Sequence, residues 1–204
     1  MTTGVRRPPT GRRRTGAAAA LAVAGWLAAT TGCVTAAPES RAPGPTAVGL
    51  AGVPADPFGV NDCAAGALAA VLAYWGESVT VSELDRRLPK ARKGGVLSID
   101  LVLEARSRGF EAELAEGSPA ELAASIERGE PAIILLRVLN APRSRADLFH
   151  YVVVDGHDAE RNLLRLHFGD GVKRWAEAPR LEPAWAPSGH LMLAVRPPAS
   201  AGPT

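Results

Sequence analysis

The chain has 204 residues, 47% hydrophobic and 22% charged, with 21 glycines and 17 prolines in no repeating order. That composition excludes a disordered or fibrous chain and leaves room for one ordinary domain with a core. The formal charge of +2 is concentrated at the N-terminus: without the five arginines before residue 33, 18 basic residues face 21 acidic ones, a net −3. A basic footprint for nucleic acid is therefore not expected.

Arg6, Arg7, Arg12, Arg13 and Arg14 lie in residues 1–15, and an uncharged, Ala-rich run fills Gly16–Gly32. A basic region, an apolar region and small residues before a cut site make a secretory signal, here residues 1–32. The run is short and Gly-interrupted, which suits a signal better than a permanent membrane span. Thr31-Gly32-Cys33 resembles the end of a bacterial lipobox, whose Cys is lipidated, although Thr30 stands where that motif usually has Leu. Arg12-Arg13-Arg14 resembles a twin-arginine signal only loosely, because the bulky apolar residues that follow such a pair are missing. The expected product is an exported lipoprotein, held on a membrane through lipid at Cys33 and facing the periplasm or the cell exterior. An ordinary signal peptide with a chance Cys is the alternative. Residues 33–57 contain Pro38, Pro43, Pro45, Pro54 and Pro57 among small residues and predict a tether. The domain is expected over 58–197 and a short tail over 198–204.

Asn61-Asp62-Cys63 precedes a run in which Leu68, Val71, Leu72 and Trp75 recur at helical spacing, predicting a helix that buries one face. Asn61 or Asp62 is its N-cap and Gly76 its stop. A short helix starts at Ser82-Glu83-Leu84-Asp85, and a third runs from Ser98 to Gly109. Phe110–Leu114 reads as a strand. Ser118-Pro119-Ala120-Glu121 is a capping box that opens a helix to about Arg128. The second half changes character. Ala132–Val138 is a continuous apolar run, predicting a strand buried on both faces. A polar loop spans Leu139–Leu148. His150–Val154 is a strand, with a turn expected at Gly156-His157-Asp158. Leu163–Phe168 and Val172–Trp175 are further strands, Glu182–Trp185 a helical turn, and His190–Val195 a closing strand. Helices first and an antiparallel sheet afterwards describe an α+β domain.

The chain has two cysteines. With Cys33 lipidated, Cys63 is left as a thiol without a disulfide partner. At the first turn of a helix, the unpaired N–H groups and the dipole favour a thiolate. That is how a cysteine nucleophile is activated, although a lone Cys is equally at home as a small buried hydrophobe. His150 opens an apolar strand after a long polar loop, where a base can reach a cleft while the strand anchors it; a structural His also fits that position. A thiol and an imidazole on separate elements are the pair that cysteine hydrolases use. The four histidines have no acidic partners at ligand spacing, so no metal and no cofactor are expected.

Five segments, taken together, resemble a family. They are NDCAAGALAAVLAYWG (61–76), GGVLSIDLVLEARSRGF (94–110), GEPAIILL (129–136), HYVVVDGHD (150–158) and AWAPSGHLMLAV (184–195). In order and spacing they are similar to the C39-type cysteine peptidases, papain-like bacterial enzymes best known for removing leader peptides from bacteriocins. The resemblance implies a papain-like fold, with the N-terminal helices packed on the C-terminal antiparallel sheet. It also implies a peptide or protein substrate, Cys63 as nucleophile, His150 as general base and a downstream Asp or Asn that orients the imidazole. There are three departures. The Gln that the family places five or six residues before the nucleophile, as an oxyanion donor, is replaced by Phe58 and Pro57, and the chain has no Gln. Asn61 or the Cys63 N–H is the candidate substitute. Ala64 replaces the usual Gly after the nucleophile. The orienting acid is expected at the end of LRLHFGDG, where register alone points near His167. Asp170 is the candidate, because an acceptor must fix the imidazole tautomer; an Asp in a Gly-flanked turn fits there equally. Asp155 is less suited, being an odd number of residues from His150. No ATP-binding domain accompanies these motifs in this chain.

The expected activity is extracytoplasmic peptide-bond hydrolysis through a thioester. The alternatives are a catalytically weak or inactive peptide-binding lipoprotein of the same fold, which the missing Gln favours, and a cell-wall amidase with a D-C-S-G motif. Asp62-Cys63 matches only half of that motif.

Overall fold

The computed structural model describes residues 39–91, 95–138 and 148–198. All of them belong to one unit of the chain, Gly32–Thr204. The signal segment, Cys33, the start of the expected tether, most of the polar loop and the tail lie outside the described residues.

The strands are β1 (Val48–Gly49), β2 (Glu111–Glu116), β3 (Ala132–Val138), β4 (Leu148–Asp158), β5 (Leu163–His167), β6 (Lys173–Glu177) and β7 (Leu191–Arg196). They form one antiparallel sheet in the order β2-β7-β3-β4-β5-β6, with β1 paired to β4 beyond the end of β3. The helices are α1 (Cys63–Tyr74), α2 (Val81–Arg87), α3 (Ser98–Ser107), α4 (Pro119–Glu127) and α5 (Ala178–Trp185). Side chains of β3 alternate between two cores. Ile133 and Leu135 meet α1, α2 and α3 on one face; Ala132, Ile134 and Leu136 meet α4 and α5 on the other. This is the mixed architecture expected, with β3 buried on both faces.

Helix α1 differs from the expected amphipathic helix: every residue from Cys63 to Leu72 is buried. The physical reason is alanine. Ala64, Ala65, Ala67, Ala69 and Ala70 let neighbouring elements close around the helix, leaving no solvent face before Ala73. Its C-terminal end is fixed by the Tyr74 hydroxyl donating to Gly129 O at 2.8 Å and by Trp75 Nε1 donating to Val195 O at 2.8 Å. At the other end, Asp62 occupies the N-cap position but makes no side-chain cap bond. Ser118 caps α4 as read, its Oγ accepting from Glu121 N at 3.2 Å, which is the N-cap half of the expected capping box. Helix α2 starts one residue earlier than expected, because Thr80 Oγ1 caps it by accepting from Glu83 N at 3.2 Å.

Two expectations are corrected. The turn expected at Gly156-His157-Asp158 is absent; β4 runs on to Asp158 through a β-bulge between Val154 and Gly156. Gly156 serves close approach instead, since a Cβ there would lie 2.8 Å from Val48 O. The expected tether is, over its described part, a strap on the sheet. Leu50 N donates to Asp155 O at 2.8 Å, Gly44 N to Asp158 Oδ2 at 2.6 Å, and Arg41 N to Trp175 O at 2.9 Å. Proline-rich composition predicts few packed side chains, and the strap is held mainly through backbone groups, which composition does not reveal. At its centre, Asp155 is fully buried (0% exposed) and ion-paired with both Arg165, at 2.6 Å, and Lys173. Lys173 Nζ and Arg165 Nη2 also bind the strap carbonyls of Val53 and Leu50.

Candidate active site

The strap delivers the chain to a 3-10 turn, Val60–Asp62, and directly into α1 with Cys63 as its first residue. The thiol is buried at 7% exposure and lies against the backbone N–H of Tyr151, the residue beside His150 in β4. The helix start and the strand start are thus brought to one place, although 87 positions separate the two residues in the sequence. Tyr151 is the clamp between them. Its hydroxyl donates to Val96 O at 3.0 Å and pairs with Ser98 Oγ at 2.8 Å, tying β4 to the N-terminus of α3. Burial pushes the Tyr151 phenol up to about 12.

His150 is buried at 8% exposure. Its Nε2 donates to the carbonyl oxygen of Phe168 at 2.8 Å. A carbonyl can only accept, so the proton sits on Nε2 and Nδ1 carries the lone pair. Nδ1 is buried and has no hydrogen-bond partner. An imidazole held by one nitrogen and vacant at the other is arranged to take a proton.

Burial pushes the Cys63 thiol above its ordinary 9.0, outweighing the Tyr151 and Ala64 N–H groups that favour the thiolate. Burial likewise pulls His150 below 6.5, against the Phe168 carbonyl and the charge of Asp170. Instead of the thiolate expected from the helix start, burial favours the neutral form of both the thiol and the imidazole. Desolvation of a charge exceeds what the first turn of a helix returns.

Asp170 does not orient His150. Its carboxylate is 42% exposed, ion-paired to Arg174 at 2.6 Å and accepting from Val172 N at 3.2 Å. It reaches the imidazole only through its charge. The acceptor is the backbone of Phe168, two residues earlier. Asn61 is exposed in the turn before Cys63, beside the first-turn N–H groups of α1. His167 is fully buried, its Nδ1 accepting from Gly169 N at 3.0 Å.

Phe58 was legible only as a missing Gln. Its ring packs 6.2 Å from His150 and 5.2 Å from His167, centroid to centroid. The slot exists because two neighbours lack a Cβ. One built on Gly66 or Gly169 would lie 2.2 or 2.3 Å from the ring, and Gly169 has φ +83° besides. Phe58 N also donates to Gly169 O at 2.9 Å. Two cavities, of about 410 and 440 Å³, lie elsewhere, beside Glu111 and Arg196 and beside Arg41 and Arg161; neither touches Cys63 or His150.

Residues 58–193 match the model of the peptidase C39 family. The chain belongs to that family. Solved structures agree on the fold. The peptidase domain of Streptococcus ComA, a bifunctional ABC transporter of a quorum-sensing pathway, is 21% identical with a TM-score of 0.56, covering 71% of this chain and 98% of that one. A protein from Bacillus anthracis described as a C39-like peptidase is 21% identical, with a TM-score of 0.58 and coverage of 73% and 96%. A double-glycine-motif protease from an AMS/PCAT transporter, solved with a leader peptide, is 18% identical with a TM-score of 0.53 and coverage of 74% and 98%. No curated protein matches the sequence.

Proposed function

We propose that this C39-family chain is an extracytoplasmic cysteine peptidase that hydrolyses peptide bonds through a thioester on Cys63. The observation that carries the reading is the state of His150: Nε2 anchored on Phe168 O, Nδ1 buried and unpartnered, one residue from the backbone that faces the thiol. The leader peptide bound to a C39-family neighbour supports a peptide as substrate.

The Cys63 proton passes to His150 Nδ1 as Sγ attacks the scissile carbonyl carbon, forming a C–S bond and an oxyanion. The oxyanion meets the first-turn N–H groups of α1 and the Asn61 side chain. It collapses, the C–N bond breaks, and His150 returns the proton to the leaving amine. Water attacks the thioester, Nδ1 takes its proton, the C–S bond breaks and the thiol re-forms. Because the resting pair is neutral, proton transfer accompanies attack rather than preceding it.

A peptide-binding role without turnover is the second reading, and Phe58 favours it: an apolar ring stands where the family's oxyanion Gln is expected. Incubation with peptide substrates, followed by intact-mass analysis of rapidly quenched samples, separates the two. Hydrolysis with an acyl adduct on Cys63 supports the peptidase; saturable binding with neither refutes it. The chain is further proposed to be exported and lipid-anchored at Cys33. Cys33→Ser should then release it from the membrane fraction, and unchanged retention would contradict that.

A further inference from the structure

Within LHFGD, three consecutive residues take part in three bonds around the site. His167 Nδ1 accepts from Gly169 N at 3.0 Å. Phe168 O accepts from His150 Nε2 at 2.8 Å. Gly169 O accepts from Phe58 N at 2.9 Å. The Phe168 carbonyl therefore sits in a turn closed from inside by the His167 ring and from outside by the segment leading to Cys63. We infer that His167 is a positioning residue: by binding Gly169 N–H, it aims the Phe168 carbonyl at His150 and so fixes the tautomer of the base. The inference rests on the reading of His150 as the base.

The other nitrogen argues the same way. His167 is fully buried, with Nε2 facing the Asp56 backbone but forming no hydrogen bond of good geometry there. Because Nδ1 accepts, the proton must be on Nε2, where burial with so weak a partner is unfavourable. A leucine would fill the space beside Phe58 without that penalty. The one well-formed bond of the ring is at Nδ1, and that bond shapes the turn carrying the acceptor for His150. Burial holds the ring neutral, as an acceptor must be. A backbone carbonyl aimed by a buried ring thus replaces a carboxylate as the orienting group.

The side-chain geometry supplies a discriminating set of variants. The Asn amide oxygen can stand where ring Nδ1 stands, whereas Gln reaches toward the Nε2 position. His167→Asn, His167→Gln and His167→Leu are compared by nitrogen NMR of the His150 ring and by Cys63 alkylation with iodoacetamide. His167→Asn should keep His150 as the Nε2–H tautomer, with alkylation within about threefold of wild type. His167→Gln and His167→Leu should mix the tautomers and slow alkylation by about tenfold or more, as expected when a catalytic imidazole loses its orienting acceptor. Unchanged tautomer in folded His167→Leu, or rescue by Gln and not by Asn, would overturn the inference. If His167→Leu does not fold, the Asn and Gln pair decides. Nitrogen shifts report positioning even in a protein without turnover, so failure here and failure of the peptidase reading are distinguishable.

Discussion

His150 is bound through Nε2 to the carbonyl oxygen of Phe168 at 2.8 Å, with its Nδ1 buried and vacant. The bond assigns the protons: Nε2 is the anchored donor and Nδ1 carries the free lone pair. It also removes the need for Asp170, whose carboxylate is committed to Arg174 and Val172. His150→Ala and Cys63→Ala should each lower kcat/KM by about a thousandfold or more. Asp170→Asn should change it by less than about fivefold, since an exposed ion pair contributes little. A loss with Asp170→Asn as large as that with His150→Ala would restore the carboxylate as the orienting group.

Activity should follow a broad bell in pH. The acid limb lies below 6.5, because burial lowers His150 and a protonated base cannot accept the thiol proton. The alkaline limb lies above 9.0, where the raised thiol ionises and leaves His150 no proton to deliver. Phe58 shields the imidazole from water, so Phe58→Ala should move the acid limb up toward 6.5. A limb that stays in place in that variant would show that the ring does not set the desolvation.

Stability should have its maximum between those limits. Below 6.5 the unfolded chain binds protons at His150 and His167 that the folded chain, with both lowered, does not; stability therefore falls as pH drops. Above 9.0 the unfolded chain releases the Cys63 proton first, and from 10.0 to about 12 the Tyr151 proton, so stability falls as pH rises. Urea midpoints across pH check this, and His167→Leu should flatten the acid side.

The chain reads plainly where local chemistry and burial agree. Ala132–Val138 is apolar without alternation and is the strand both cores share; Ser118-Pro119-Ala120-Glu121 caps the helix it predicts. Cys63 at a helix start and His150 at a strand start were legible as the candidate thiol and base, and the fold brings those two starts together. What escaped has no side-chain signature. The orienting acceptor is a main-chain oxygen. The strap is paired through backbone groups inside Pro-rich sequence. The bulge at Asp155 is disguised by Gly156-His157-Asp158, which has the composition of a turn. The neutral resting thiol follows from burial, which only the tertiary fold decides.

Asp155 is the hub of the strap. Removing its carboxylate would leave Arg165 and Lys173 facing each other without a counter-charge. Asp155→Ala should cost about 3 kcal/mol or more. It should also expose residues 39–57 to proteolysis. A variant with wild-type stability and an uncut strap would show that backbone pairing alone seats the segment.

The slot for Phe58 depends on hydrogen atoms at two positions. Gly66→Ala places a methyl 2.2 Å from the ring and should cost about 1–3 kcal/mol through overpacking. Gly169→Ala adds a left-handed backbone penalty to the same clash. Both should lower catalytic rate more than Cys63 exposure alone explains, read as kcat against thiol titration. Full activity in Gly169→Ala would contradict the tight turn described here.

The most direct test is the rate at which a neutral peptide electrophile alkylates Cys63 near pH 7.5, in wild type and in His150→Ala. A buried thiol raised above 9.0 is almost wholly protonated there, so rapid alkylation requires a neighbouring base to take its proton. The account predicts fast reaction in wild type and a drop of about a hundredfold in the variant, within the range of one general base. Equal rates in the two proteins would mean that the imidazole does not act on the sulfur.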